Sequence, residues 1–319
     1  MPESCNLNSD LLSATVGLTS QKSGEKASQF VVDWMRSLDF VSDAEIFEVY
    51  WEKSDKHQHP ILRRFNDNAA EVRPKDIHSA LTAQVEKKTI TSVQMDAHTT
   101  KLIFPINSAN GPYRIITLNI KEVKPQQQLF CMHMATLYQN QISVFDEKER
   151  DALTGLLNRQ TFNDQLSKVM QTMSSHQQSA FLAVLDIDHF KRVNDTYGHL
   201  YGDEVLLQFS QLMKKTFRYT DVMFRFGGEE FIIVLGNTNH QGAEKSLERF
   251  RLTIQNHHFP SVGQVTVSIG CVEMMANMLP TTLVDSADQA LYQAKESGRN
   301  RLLFFNHPHE SEHSDIELF

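Results

Sequence analysis

Two acidic pairs stand at the ends of apolar runs. FLAVLDID (181–188) ends in Asp186 and Asp188, two residues apart and so on one side of an extended backbone. RFGGEEFIIVL (225–235) places Glu229 and Glu230 directly after Gly227-Gly228, where a strand would ordinarily continue with apolar or neutral residues. Taken singly, each has a plain reading: Asp188 caps a following turn, and the glutamates are solvated at a hairpin tip. In a split βαβ sheet the first strand commonly pairs next to the hairpin, which lets Asp186 and Glu229 converge. Converging carboxylates without basic partners repel by roughly 4 kcal/mol per pair at about 4 Å and an effective dielectric of about 20. A hard cation removes that conflict, and Mg²⁺ prefers one or two carboxylates plus substrate phosphates. The chemistry expected is phosphoryl or nucleotidyl transfer.

Phosphates need cations. Lys191 and Arg192 follow the acidic strand end, and Lys295 and Arg299 in YQAKESGRNR sit four apart, on one face of the last helix, with Gly298 near its end. The alternative is ordinary surface cations near a helix C-terminus, which suits Arg192 and Arg301 better than the other three. A base site has candidates in NDTYGHLYGDEVLL (194–207), where Asn194, His199 and Asp203 line a loop and the first turn of a helix. An ionised aspartate accepts from both N1–H and the 2-amino group of guanine. Adenine offers neither donor, which would leave a buried carboxylate unpaired at a cost of roughly 1–3 kcal/mol. Alternatively Asp203 is a first-turn acid favoured by the helix dipole.

These groups need a scaffold. At about 150 residues per domain, 319 residues predict two domains. Gly17, Gly24 and Gly111 precede residue 151 and the other ten glycines follow it, so the second half is the expected seat of chemistry. There the pattern predicts helix 158–175, strand 180–186, helix 201–217, strands 222–226 and 230–235, helix 240–256, strand 264–274, helix 283–297 and strand 301–305. Its β-α-β-β-α-β run is the ferredoxin-like, split βαβ arrangement, and Gly227-Gly228 fits a two-residue primed turn with positive φ.

In the first half, residues 1–24 are expected to be flexible. A helix is predicted over 25–40 with Phe30, Val31, Trp34 and Leu38 in one stripe, then a strand over 44–53 and a loop over 56–68. Strands over 88–95, 101–107 and 113–120 follow, with a hairpin turn at 108–111. A helix over 126–150 carries Phe130, Met134, Tyr138, Ile142 and Phe145. That stripe is either core or a parallel dimer seam, although Gln141 interrupts a strict heptad count. The order resembles a GAF-like sensory domain over 25–125, with a PAS-like domain as the other reading. His57, His59, His78 and His98 are read as surface residues rather than a metal or haem sensor. The tail 307–319 is expected to be disordered.

Composition excludes other classes. With 31 basic and 39 acidic residues the formal charge is −8, so no fold-wide cationic field grips duplex nucleic acid or an anionic membrane. No apolar run reaches the roughly 18 residues of a membrane span, and MPESCNLNSD lacks the basic head and apolar stretch of a secretion signal. Cys5, Cys131 and Cys271 are odd in number and far apart, so a disulfide framework is not expected. The compartment expected is a reducing, aqueous one, the cytoplasm.

DALTGLLNR (151–159), DIDHFKRVNDTYGHLYGDEVL (186–206), RFGGEEF (225–231), VSIG (267–270) and DQALYQAKESGRNR (288–301) resemble, in order and spacing, the GGDEF family of diguanylate cyclases. The resemblance covers 151–306 and carries the GGEEF variant of the signature. It implies an α+β fold: a C-terminal ferredoxin-like nucleotidyl-cyclase palm behind an N-terminal GAF-like antiparallel-sheet domain and a connecting signalling helix (126–150). It implies that Asp186, the Ile187 carbonyl and Glu229 hold Mg²⁺ (or Mn²⁺). Glu229 helps deprotonate the attacking ribose 3′-hydroxyl, with Glu230 as an additional metal-side carboxylate. Asn194, His199 and Asp203 hold guanine and ribose, while Lys191, Lys295, Arg299 and the amides near His189 and Phe190 grip the triphosphate.

The implied reaction joins two GTP into cyclic di-GMP with release of two pyrophosphates, in a homodimer whose two domains each hold one GTP. Arg218-Tyr219-Thr220-Asp221 matches the family's inhibitory RxxD motif, where cyclic di-GMP binds, and Arg249 is a candidate second arginine. An exposed Arg–Asp pair worth under about 1 kcal/mol is the plain alternative. The competing function is a catalytically silent cyclase fold that senses GTP or cyclic di-GMP, which intact Asp186, Glu229, Glu230, Lys191 and Lys295 disfavour. The ligand of the N-terminal domain is not legible.

Overall fold

A computed structural model describes residues 7–53, 58–65, 71–72, 90–108, 112–176, 179–218, 220–275 and 278–306. The chain divides into two compact units, Met1–Glu149 and Arg150–Phe319.

The first unit opens with helices α1 (Leu7–Thr19) and α2 (Gly24–Arg36). Six strands follow: β1 (Val41–Lys53), β2 (Gln58–Arg64), β3 (Glu71–Val72), β4 (Thr91–Gln94), β5 (Thr99–Ile106) and β6 (Tyr113–Lys121). They form one sheet in the order β3-β2-β1-β6-β5-β4, with every neighbouring pair antiparallel. Helix α3 (Pro125–Glu149) closes the unit. Two expectations fail here. Residues 7–19 are helical rather than loose, with Ala14 and Leu18 fully buried. The segment read as a loop contains β2, because the His-Pro pair obscures a stretch that zips against β1 from Lys53↔Gln58 to Phe47↔Arg64. The hairpin tip 109–111, His57, His78 and the tail 307–319 lie outside the described residues, while His98 is exposed.

Ser23 caps α2 by accepting from the Lys26 N–H, which satisfies one of the orphan donors of its first turn. The fully buried stripe is Ala27, Val31 and Met35, spaced by four, with Phe30 and Trp34 half-buried at its margin. Phe130, Met134, Tyr138, Ile142 and Phe145 of α3 enter the same core as Ile46, Phe104 and Leu118 of the sheet. The stripe on α3 is therefore core and not a dimer seam. Polar groups also join α3 to its unit. Tyr138 Oη lies 2.7 Å from Ser28 Oγ. Arg114, on β6, donates to both oxygens of Asp146 at 2.7 and 3.0 Å, with Glu48 3.6 Å away. Both partners of the Arg114–Asp146 pair are buried.

The second unit is built on a six-stranded sheet of β7 (Leu157–Asn158), β8 (Phe181–Ile187), β9 (Val222–Arg225), β10 (Glu230–Leu235), β13 (Val267–Glu273) and β14 (Leu302–Phe304). Its order is β14-β13-β8-β10-β9-β7. The four central strands are antiparallel neighbours, whereas β14 and β7 run parallel to β13 and β9. This is the split βαβ palm with an added strand at each edge. β11 (His258–Phe259) and β12 (Gly263–Gln264) form a separate small hairpin.

Alternation along the strands sends side chains to two cores. Ala183, Leu185, Phe231 and Ile233 pack with α5 (Phe190–Tyr197), α6 (His199–Thr216) and α7 (His240–Asn256). Leu182, Val184, Ile232 and Val234 pack with α4 (Phe162–His176) and α8 (Pro280–Glu296). On that second face, a Cβ on Gly270 of β13 would sit 2.1 Å from the Ala287 carbonyl and 2.2 Å from the Leu291 nitrogen. The missing side chain of Gly270 is what lets α8 rest on the sheet. Helix α5 departs from expectation; its Asn194-Asp195 pair just before Gly198 reads as loop, but Phe190 and Val193, three apart, anchor one face.

Candidate active site

Strand register positions the carboxylates. β8 pairs with β10 so that Glu230 stands directly opposite Asp186, and the Ile187 N–H reaches the Glu229 carbonyl at 3.4 Å. Asp186 continues the stripe of Leu182 and Val184 toward α8, where Lys295 Nζ meets Asp186 Oδ1 at 2.9 Å. Burial raises the Asp186 carboxyl above its ordinary value; Lys295 opposes this, while Glu230 and Asp188 add to it. The Glu229 carboxyl is also raised, first by burial and then by Asp186, with Lys295 again opposing. The acids and one lysine thus share a single electrostatic cluster.

The Gly-Gly tip is not a two-residue primed turn. The Phe226 and Gly227 N–H groups both donate to the Glu230 carbonyl, at 2.9 and 3.2 Å, and neither glycine takes a positive φ. Gly227 serves clearance instead: a Cβ there would lie 2.8 Å from Glu230 Oε2, so the carboxylate folds over the glycine. Arg225 braces the tip, donating through Nη2 to the Gly228 carbonyl at 2.9 Å and through Nη1 to both Asp151 oxygens at 3.1 Å. Asp151 also accepts from the Thr154 N–H and hydroxyl, which ties DALT to the hairpin.

Among the described residues no three His, Cys, Asp or Glu side chains form a ready cage for a metal. Asp186, Glu229 and the Ile187 carbonyl are all hard oxygen donors gathered at one strand end. That set fits Mg²⁺ or Mn²⁺, which completes its shell with water and phosphate rather than protein. Asp188 does not belong to the set. Its carboxylate accepts from Thr266 Oγ1 and Ser268 Oγ, both at 2.7 Å, and from the Asn300 N–H at 3.0 Å.

His189 has φ 59° and starts α5 without any side-chain cap. An uncapped helix start offers backbone N–H groups to an anion, beside exposed Lys191. Arg299 departs from expectation. Helix α8 ends at Glu296; Gly298, at φ 110°, donates to the Lys295 carbonyl and the Arg299 N–H to the Ala294 carbonyl. This pair of bonds is a Schellman termination, so Lys295 is helical and Arg299 lies beyond the turn, not on the same helix face.

Asn194 lies on α5, not in a loop. The Gly198 turn folds α5 onto α6, and Asn194 Oδ1 would be only 2.0 Å from a Cβ on Gly202. Exposed His199 and Asp203 begin α6 beside it. On the opposite flank, the Arg218 N–H donates to Asp221 Oδ2 at 2.8 Å and the Asp221 N–H to the Arg218 carbonyl at 3.1 Å. Asp221 is buried, not a surface partner, and burial raises it to about 6 against the lowering charges of Arg218 and Arg249. Arg249 Nη2 donates to the Thr216 carbonyl at 2.9 Å.

Asp288 was missed from the sequence. Burial raises its carboxyl, followed by Glu230 and Asp285, with Lys295 opposing and Asp186 adding. The signal was there: Asp288 precedes Lys295 by seven residues, two turns on one helix face. The groove of about 550 Å³ along α8, lined by Asp285, Asp288, Gln289, Tyr292 and Gln293, carries two acids and no cation. It does not suit a triphosphate.

Residues 148–301 match the domain family described as "Diguanylate cyclase, GGDEF domain". Diguanylate cyclase DgcP of Pseudomonas aeruginosa is 33% identical over 211 residues, 65% of this chain and 30% of the relative. Diguanylate cyclase DgcS of Shewanella oneidensis is 40% identical over 151 residues, 47% of this chain and 50% of the relative. The crystal structure of diguanylate cyclase SiaD in complex with its activator SiaC from Pseudomonas aeruginosa aligns with 34% identity and a TM-score of 0.51, covering 56% of this chain and 70% of that one. The chain spans between 30% and 50% of the length of these two curated relatives.

Proposed function

The chain belongs to the diguanylate cyclase GGDEF family through residues 148–301, and we propose that it condenses two GTP into cyclic di-GMP with release of two pyrophosphates. The observation that carries this is the strand register that sets Glu230 opposite Asp186 with Lys295 closing on it. Asp186, Glu229 and the Ile187 carbonyl would hold Mg²⁺ or Mn²⁺, which when bound supplies charge neutralisation at the reacting phosphate. Asp203 accepts from guanine N1–H and the 2-amino group, Asn194 adds an amide hydrogen bond to the base, and His199 borders the ribose. Lys191, Arg299 and Lys295 hold the triphosphate with the amides of His189 and Phe190. Glu229 takes the proton of the ribose 3′-hydroxyl, and that oxygen attacks the α-phosphorus of the GTP held by a second copy. Each domain supplies one half of the reaction, so the active form is a homodimer.

Cyclic di-GMP binding at Arg218, Asp221 and Arg249 slows turnover. The six-stranded sheet with helices before and after it supports a GAF-like sensory role for residues 25–125, with its own ligand, and α3 as the signalling connection. Dependence on GTP, together with the free buried thiols of Cys131 and Cys271, supports a cytoplasmic setting. Among the described residues no helix is long and apolar enough to cross a membrane. The test is direct. Purified protein with GTP and Mg²⁺ yields cyclic di-GMP by chromatography, while Glu229→Ala yields none and keeps its circular dichroism. Product from the variant at the wild-type rate overturns the assignment.

A further inference from the structure

We propose that Arg251, on α7, is a positioning residue for the triphosphate grip, acting through Asn300 on the turn that follows Lys295. The proposal rests on the reading of this site as a GTP site. Arg251 makes no approach to the acidic cluster that the structure records. Its guanidinium is locked on one side by Glu248, at 2.5–3.0 Å through Nε and Nη2. That leaves Nη1 aimed at one place: Gln255 Oε1 at 2.7 Å, Asn300 Oδ1 at 2.8 Å and the Asn300 carbonyl at 3.3 Å. Asn300 Nδ2 completes the ring by donating to the same Gln255 oxygen at 3.1 Å.

The held residue is the one that needs holding. Arg299 and Asn300 both lie in the left-handed region, at φ 62° and 47°. Non-glycine residues avoid that conformation unless their surroundings over-determine it. The Schellman bonds fix the chain only as far as the Arg299 N–H. Beyond it, Asn300 is clamped from two directions: its side chain by Arg251 and Gln255, and its N–H by Asp188 Oδ2. Asp188 adjoins Ile187 and His189, so the same clamp joins the two segments expected to meet the phosphates. A bonded side chain that fixes a charged neighbour's backbone lowers the ordering cost of binding.

Steady-state kinetics of the full chain tests this. Arg251→Gln should raise KM for GTP roughly 5- to 20-fold while kcat stays within about twofold, because grip is lost equally in ground and transition states. Affinity for a non-hydrolysable GTP analogue should fall by the same factor, and NMR titration with guanosine should be unchanged. Asn300→Gly keeps the left-handed turn but removes Oδ1; in that background Arg251→Gln should add little. An unchanged KM, an equal loss for guanosine, or full additivity overturns the proposal. Should Arg251→Gln not fold, Asn300→Gly and Gln255→Ala carry the same comparison, and an unaltered analogue affinity in both overturns it. Wild-type protein that makes no cyclic di-GMP defeats the enzymatic reading instead, and the analogue and guanosine titrations still decide the role of Arg251.

Discussion

Lys295 Nζ and Asp186 Oδ1 are 2.9 Å apart, so the cation expected to grip phosphate also neutralises the acid expected to hold metal. Burial, Glu230 and Asp188 push the Asp186 carboxyl up, and only Lys295 pulls it down. Lys295→Met should therefore move the acid limb of the pH–rate profile to higher pH, beyond its loss of turnover. The measurement is kcat against pH at saturating GTP and Mg²⁺. A variant whose acid limb coincides with the wild type would show that Lys295 does not tune Asp186.

Gly227→Ala tests clearance at the hairpin tip. The new Cβ would sit 2.8 Å from Glu230 Oε2, the far end of a flexible side chain. The carboxylate swings away at little cost to the fold, so turnover should fall on the order of tenfold through lost positioning, with the melting temperature within about 2 °C of wild type. Full activity would mean that the folded-over position of Glu230 is dispensable.

Gly270→Ala is expected to act on the fold. Its Cβ would meet backbone atoms of Ala287 and Leu291 within 2.2 Å, and a helix backbone cannot step aside as a side chain can. Overpacking of this kind should cost about 3 kcal/mol or more, lowering the calorimetric transition of this unit by roughly 6–12 °C. An unaltered transition would show that α8 lifts from β13 freely.

The two halves of the site differ in how far the sequence reveals them. Asp186, Glu229 and Glu230 are legible because an apolar strand that ends in acid is a local anomaly. The palm is legible because strand and helix periods alternate. Contacts across long separations leave no such mark: Asn300 and Asp188 are 112 residues apart, and nothing in either segment announces the other. Glycine misleads in a different way. Gly227-Gly228 reads as a demand for positive φ, whereas Gly227 is needed for the space its side chain leaves. Arg299 looks helical by spacing, but Gly298 ends the helix first.

If cyclic di-GMP binds at Arg218 and Asp221 as proposed, the raised carboxyl of Asp221, at about 6, gives that site a pH dependence. The ionised carboxylate accepts from the Arg218 N–H and so holds the turn that presents Arg218; product inhibition should therefore weaken as pH falls below about 6 and be abolished at all pH values by Arg218→Ala. Stability runs the other way. The folded chain holds the Asp221 proton more tightly than the unfolded chain, so this group's stabilisation is full below the ordinary carboxylate value and lost as pH rises through about 6. Inhibition curves with added cyclic di-GMP at pH 5.5 and 7.5 (roughly one-quarter and nearly all ionised for a pKa of about 6) check the first claim. Superimposable curves refute it.

The Arg114–Asp146 pair sits at the far end of α3, one turn from the last residue of the first unit. Breaking a buried pair by removing one partner strands the other charge, typically at about 3–5 kcal/mol. The terminal turn of α3 is thereby riveted to β6. If α3 carries the proposed signal, its last turn moves either together with the sheet as one rigid lever or only after two buried charges are prised apart.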